Sequence, residues 1–201
     1  MDLSITKDTL EDDGLVLNAN HLCWIYDNDD DKVAVIKPFV LSHLVQRHRC
    51  LLVLPKETVD EVFESMREDD FNVDRYVKSG QLAAMEPKDL FFAGGPFDID
   101  VILHRMQSAL GAALSDGWER LAVVSDPSTL LDKADEQDWL ALEFRTDFEC
   151  RTQPCSLLCV YDARQASGSF ITKVIKAHPV VGLGRGLARN PFYGPQAQET
   201  S

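Results

Sequence analysis

His21 and Cys23 stand two residues apart in the run His21-Leu22-Cys23-Trp24-Ile25-Tyr26. Aromatic and β-branched residues are dense in this run and an Asp/Asn cluster closes it, so it reads as a strand. Alternation along a strand puts His21, Cys23 and Ile25 on one face and Leu22, Trp24 and Tyr26 on the other. An imidazole and a thiol on one face can reach the same ligand or ion. Much later in the chain come Cys159, inside the apolar run Ser156–Asp162, and His178, just before Pro179. The four residues His21, Cys23, Cys159 and His178 make a soft-metal set of thiols and imidazoles. No pair among them has C-x-x-C or H-x-x-x-H spacing. Each also has a plainer reading: Cys159 as a small buried hydrophobe, His178 as a cap on a helix C-terminus. His43 and His48 bracket a helix end and read as surface or capping groups. Glu143 reads as a solvated helix residue or as one turned into a pocket.

The elements that must position these groups alternate in type. After the first strand, the turn Asp27-Asn28-Asp29-Asp30-Asp31 carries four Asp and feeds an apolar helix over 33–46, with Pro38 inside it. Four carboxylates there would repel a nucleotide phosphate, and the glycines and Lys-Ser/Thr of a phosphate loop are missing. Cys50–Pro55 is a continuous apolar run, the pattern of a parallel strand buried on both faces. Helices are expected over 58–67, 73–78, 97–114, 132–149 and 170–177, and strands over 81–85, 121–126, 156–162 and 180–183. The segment Phe91–Pro96 reads as a packed connection or a lid. Strands alternating with helices imply right-handed crossovers and a three-layer α/β fold, a mostly parallel sheet with helices on both faces. Such sheets bind ligands beyond the carboxyl ends of their strands. Three strand ends there are polar: Tyr26-Asp27, Ser125-Asp126 and Tyr161-Asp162. The domain expectation is a lead-in over 1–19, one domain over 20–183, and a mobile Gly- and Pro-containing tail over 184–201.

A chain of 201 residues suits one domain with a sizeable core. Its formal net charge of −13 argues against direct partnership with nucleic acid or an anionic membrane. No apolar run is long enough to span a bilayer, and the acidic N-terminus lacks signal-peptide order. Five cysteines without such a signal suggest reduced thiols and a cytoplasmic location. No G-x-S-x-G, Walker lysine or zincin motif is present, so the expectation is a protein without enzymatic activity.

Several runs together resemble a known family. H-L-C-W-I-Y at 21–26 is followed by an acidic turn and a helix, then C-L-L-V-L-P at 50–55. S-G-Q-L at 79–82, G-P-F-D at 95–98, L-L-C-V-Y-D at 157–162 and H-P at 178–179 follow in order. This is similar to the MEDS family, the methanogen/methylotroph DcmR-type sensory domain, over about residues 20–183. The resemblance implies a degenerate relative of the RecA/KaiC fold without its phosphate loop. It also implies a sensory role with small organic molecules as ligands, and His21, Cys23, Tyr26, Glu143, Cys159, Tyr161 and His178 as site residues. The chain departs from the pattern at His43-Leu44, where relatives have Gly-Leu. With no attached DNA-binding or kinase module, output is expected to pass through a protein partner, with a homodimer as a further option. The leading expectation is a non-enzymatic small-molecule sensor in signal transduction or transcriptional regulation. Alternatives are a metal- or redox-responsive thiol/histidine protein, a nucleotide-binding remnant that uses Asp126, and an interaction module on a degenerate ATPase scaffold.

Overall fold

The computed structural model describes residues 19–93, 95–184 and 186–194. The expected lead-in therefore lies, apart from Ala19, outside the described residues. Strand β1 (His21–Tyr26) leads into α1 (Asp29–Val45), and β2 (Arg49–Val53) into α2 (Lys56–Glu68) and α3 (Val73–Lys78). Strand β3 (Leu82–Met85) is followed by α4 (Pro87–Phe91) and α5 (Ile99–Ser115). Strand β4 (Leu121–Ser125), a 3-10 turn (Ser128–Lys133) and α6 (Glu136–Thr152) come next. Strand β5 (Cys155–Asp162), α7 (Gly168–Ala177), β6 (Val180–Leu183) and β7 (Gly186–Arg189) complete the order. The seven strands form one sheet in the order β3-β2-β4-β5-β1-β6-β7. All neighbours pair in parallel except β6 and β7.

The pleat of β1 sorts the core into two layers. Leu22, Trp24 and Tyr26 face α1, α2 and α3, where Ile36, Phe39, Val40, Val62 and Met66 are buried. Cys23 and Ile25 face α5, α6 and α7, where Ile102, Leu103, Trp139, Leu142, Phe170 and Val174 are buried. The three-layer arrangement read from the alternation is the one observed. α1 begins at the acidic turn because Asn28 caps it, its side-chain oxygen accepting the Asp31 N–H at 2.9 Å. The helix runs on through Pro38.

Two expectations change and a third is decided between its alternatives. The segment from Gly184 is no loose tail over its described part: β7 pairs antiparallel with β6, and residues 190–194 fold back over α7. Residues 195–201 lie outside the described residues. Of the two readings of Phe91–Pro96, the contacts of its aromatics fit the packed connection: Phe91 ends a short helix and packs on Trp139 at 5.0 Å, and Phe92 meets Phe97 at 5.8 Å. His43 is no surface residue. It is 1% exposed, meets the Phe39 ring edge to face, and its Nδ1 lies 2.8 Å from that of His48. Burial, then the neighbouring His48, pushes its pKa down to about 3.

Glycine is required at Gly182. Its partner across β1 and β6 is Trp24, and a Cβ there would lie 2.3 Å from the indole ring. The same indole donates from Nε1 to the Gly184 carbonyl at 2.9 Å.

Candidate metal centre

His21 opens β1, and its place on the Cys23 face turns the imidazole towards α6 and α7. Cys159 lies on β5, pairing across the sheet with Cys23. His178 follows α7, where its own N–H closes the helix on the Ile175 carbonyl. Glu143 reaches the same space from α6. That helix buries one stripe, Trp139, Leu142, Glu143, Thr146, Asp147 and Cys150, at the three- and four-residue spacing of a helix face. An acid in this stripe must point into the core.

Four side-chain atoms converge: His21 Nε2, His178 Nε2, Cys159 Sγ and a Glu143 oxygen, all within 4.8 Å of one another and all buried. Glu143 Oε2 lies 3.3 Å from His21 Nε2 and 3.2 Å from His178 Nε2. Cys159 Sγ lies 3.6 Å from His21 Nε2 and 3.6 Å from Glu143 Oε2. The two imidazole centroids are 3.9 Å apart. His178 Nε2 is close to the carboxylate yet has no aligned hydrogen-bond partner.

Three of the four converging groups are held from behind. His178 Nδ1 donates to the Val174 carbonyl at 2.9 Å, which leaves Nε2 to face the shared space. His21 Nδ1 faces Asp147 Oδ1 at 3.5 Å. Asp147 Oδ2 in turn accepts from Tyr193 Oη at 2.8 Å and from Arg151 Nε at 3.1 Å. The other Glu143 oxygen accepts a hydrogen bond from the Tyr161 hydroxyl. Outer partners of this kind fix imidazole tautomers and ligand orientation at metal sites.

Protonation follows the packing. Burial disfavours a charged His21, but the Asp147 and Glu143 carboxylates outweigh it and raise its pKa. Burial, then the charge of His21, lowers His178. Burial alone would raise Glu143, yet the two imidazoles hold it well below the carboxylate range. The thiols of Cys23 and Cys159 and the Tyr161 hydroxyl are pushed up, first by burial and then by the charge of Glu143.

Of the residues singled out in the sequence, His21, Glu143, Cys159 and His178 come together, with Tyr161 bonded to Glu143. Cys23 is fully buried beside Cys159, but Glu143 and not Cys23 supplies the fourth converging atom. Tyr26 belongs to the other face, where its hydroxyl donates to Asp126 Oδ2 at 2.8 Å. The site also lies elsewhere than expected. It sits under the sheet near the start of β1, not beyond the carboxyl ends of the strands. Those ends are tied to one another: Asp126 Oδ1 accepts the Ser128 N–H, Ser128 Oγ accepts the Asp162 N–H, and Arg164 bridges Asp162 and Asp29. Asp147 and Tyr193 were missed. The four-residue step from Glu143 to Asp147 was a usable signal for the first; nothing in the sequence marked Tyr193.

Residues 20–179 match the family described as MEDS, the MEthanogen/methylotroph, DcmR Sensory domain. The chain belongs to the MEDS family. The site residues of this MEDS chain, His21 through His178, all fall inside the matched range. Two solved structures share the fold. The flagellar accessory protein FlaH from Methanocaldococcus jannaschii is 12% identical, with 92% of this chain and 82% of that one covered and a TM-score of 0.55. The KaiC-like protein PH0186 from Pyrococcus horikoshii OT3 is 10% identical, with 82% and 70% covered and a TM-score of 0.56. The MEDS chain thus has a RecA/KaiC-like fold. No curated protein matches it. Among the described residues no helix is long and apolar enough to cross a membrane.

Proposed function

We propose that this MEDS chain is a non-enzymatic sensory domain whose detecting element is a transition-metal centre held by His21, Glu143, Cys159 and His178. One observation carries the reading. A tetrahedral ion with bonds of about 2.0–2.3 Å needs donor atoms about 3.3–3.8 Å apart, and four of the six separations here are 3.2, 3.3, 3.6 and 3.6 Å. Two imidazoles, a thiol and a carboxylate suit zinc first, then other borderline-soft divalent ions. Four protein donors close the coordination sphere, whereas catalytic zinc sites keep a position open. That supports a sensing or structural centre over a hydrolytic one. The Cys159 thiol, pushed up by burial, would release its proton to solvent as its sulfur binds the ion. A small organic ligand of the kind the family resemblance implies would be read through this centre, and the output would pass to a protein partner.

The experiment is a thermal melt of chelator-stripped protein with and without zinc. At a hundred times the dissociation constant, binding to the native state alone adds about 2.7 kcal/mol, or roughly 5–10 °C for a chain of this size. His178→Ala and Cys159→Ser should lose most of that shift. Equal melting with and without zinc, cobalt, nickel, copper and ferrous iron would discard the reading.

A further inference from the structure

Cys150 and Cys155 lie outside the metal centre and play no part in it. Cys150 sits near the end of α6, one turn beyond Asp147, and Cys155 opens β5. The chain reverses between them through Arg151–Pro154, and their sulfurs meet at 3.4 Å. A disulfide needs sulfurs about 2.05 Å apart, so a small closure separates the two states.

The surroundings of the two sulfurs differ. Cys155 is partly exposed and Cys150 is buried. Arg120 donates to the Cys155 carbonyl at 2.7 Å and to Ser156 Oγ at 3.1 Å. The hydrogen bond shared with Cys150, then the Arg120 charge, holds the Cys155 thiol below its ordinary value against the effect of burial. That shared bond and burial push Cys150 the other way. An accessible thiol near a cation, backed by a buried second thiol, is the arrangement of an attacking and a resolving cysteine. Both residues also line a cavity of about 30 Å³, together with Leu103, Met106, Leu121 and Leu157. A single water needs about 10–15 Å³ on this measure, so the cavity takes a molecule of about two heavy atoms, the size of hydrogen peroxide.

We propose that Cys150 and Cys155 form a peroxide-oxidisable dithiol that closes to a disulfide. The Cys155 thiolate attacks one peroxide oxygen and the O–O bond breaks. The departing oxygen takes a proton and leaves as water, and Cys155 becomes a sulfenic acid. The Cys150 sulfur then attacks the Cys155 sulfur, the S–O bond breaks, and the hydroxyl leaves as a second water with the Cys150 proton. Two thiols have lost two electrons and two protons, and one peroxide has become two waters. The new bond ties the end of α6, which carries Glu143 and Asp147, to the start of β5, which carries Cys159 and Tyr161. It makes peroxide a second input to the elements that build the centre.

The test is mass spectrometry of the full chain after reduction, desalting and titration with hydrogen peroxide, on both chelator-treated and zinc-loaded protein. The proposal expects a peptide linked through Cys150 and Cys155 and a fall in free thiols from five to three. Cys150→Ser should stop at a Cys155 sulfenic acid that dimedone traps. Cys155→Ser should react about tenfold more slowly, or less. Cys155 reacting no faster than the buried Cys50, or a linked Cys23–Cys159 pair in place of the expected one, would overturn it. Because the linked peptide is sought in both preparations, failure of zinc binding leaves this result readable on its own.

Discussion

Asp147 stands behind His21, and the metal reading depends on it although it would touch no ion. Its Oδ1 faces His21 Nδ1 while its Oδ2 is held by Tyr193 and Arg151. Removing such an outer carboxylate commonly costs 10–100-fold in metal affinity. Asp147→Asn is therefore expected to bind one equivalent of zinc at about 10–100-fold lower affinity, read by competition with a chromophoric chelator. Unchanged affinity would place Asp147 outside the centre's support. A second residue-scale prediction concerns Asp162. The Arg164 guanidinium hydrogen-bonded to it holds its carboxyl below the usual value, with burial opposing. A carboxyl lowered in the native state adds stability that is fully present above the unfolded pKa of about 3.9 and is lost as pH falls through the native value. Unfolding titrations should show the wild type losing stability below about pH 4 more steeply than Asp162→Asn. Parallel curves for the two proteins would contradict the assignment.

The site rests on four elements, β1, β5, α6 and the end of α7, and they differed in how clearly the sequence displayed them. The β1 alternation was legible because His21 and Cys23 share a parity that nothing else in the strand blurs. β5 was legible as an unbroken apolar run. α6 was harder: its buried stripe mixes Trp139 and Leu142 with Glu143, Thr146 and Asp147, so charge on the inward face hid the helical period. The depth of the site was misread because parallel sheets usually hold ligands at their carboxyl ends, and here a polar network of Tyr26, Asp126, Ser128 and Asp162 ties those ends together. β7 was invisible because four residues with two glycines nearby carry too little pattern. The β1–β6 pairing yields a prediction of its own. Gly182→Ala drives a methyl into the Trp24 ring, and overpacking of this kind costs about 1–3 kcal/mol. The lost stability would be read as a lower denaturant midpoint, and an unchanged midpoint would show that the ring moves freely.

Over the whole molecule, the described C-terminal segment is a strap across the centre. Asn190 Nδ2 donates to the Ile175 carbonyl at 2.7 Å and the His178 carbonyl at 2.9 Å, and Tyr193 reaches Asp147. Ending the chain at Leu183 should lower both melting temperature and zinc affinity. If the shorter chain binds zinc as tightly as the full one, the strap has no role in the centre. The buried donor set bears on one claim, that four side chains from separate elements converge to hold an ion. Cobalt substitution reads that convergence directly. Chelator-stripped protein titrated with cobalt(II) is expected to develop the intense visible bands of a tetrahedral site and a thiolate-to-metal charge-transfer band, both saturating at one equivalent, with Cys159→Ser losing the second. A spectrum that stays that of hexaaqua cobalt, or a charge-transfer band that survives in Cys159→Ser, would contradict the account.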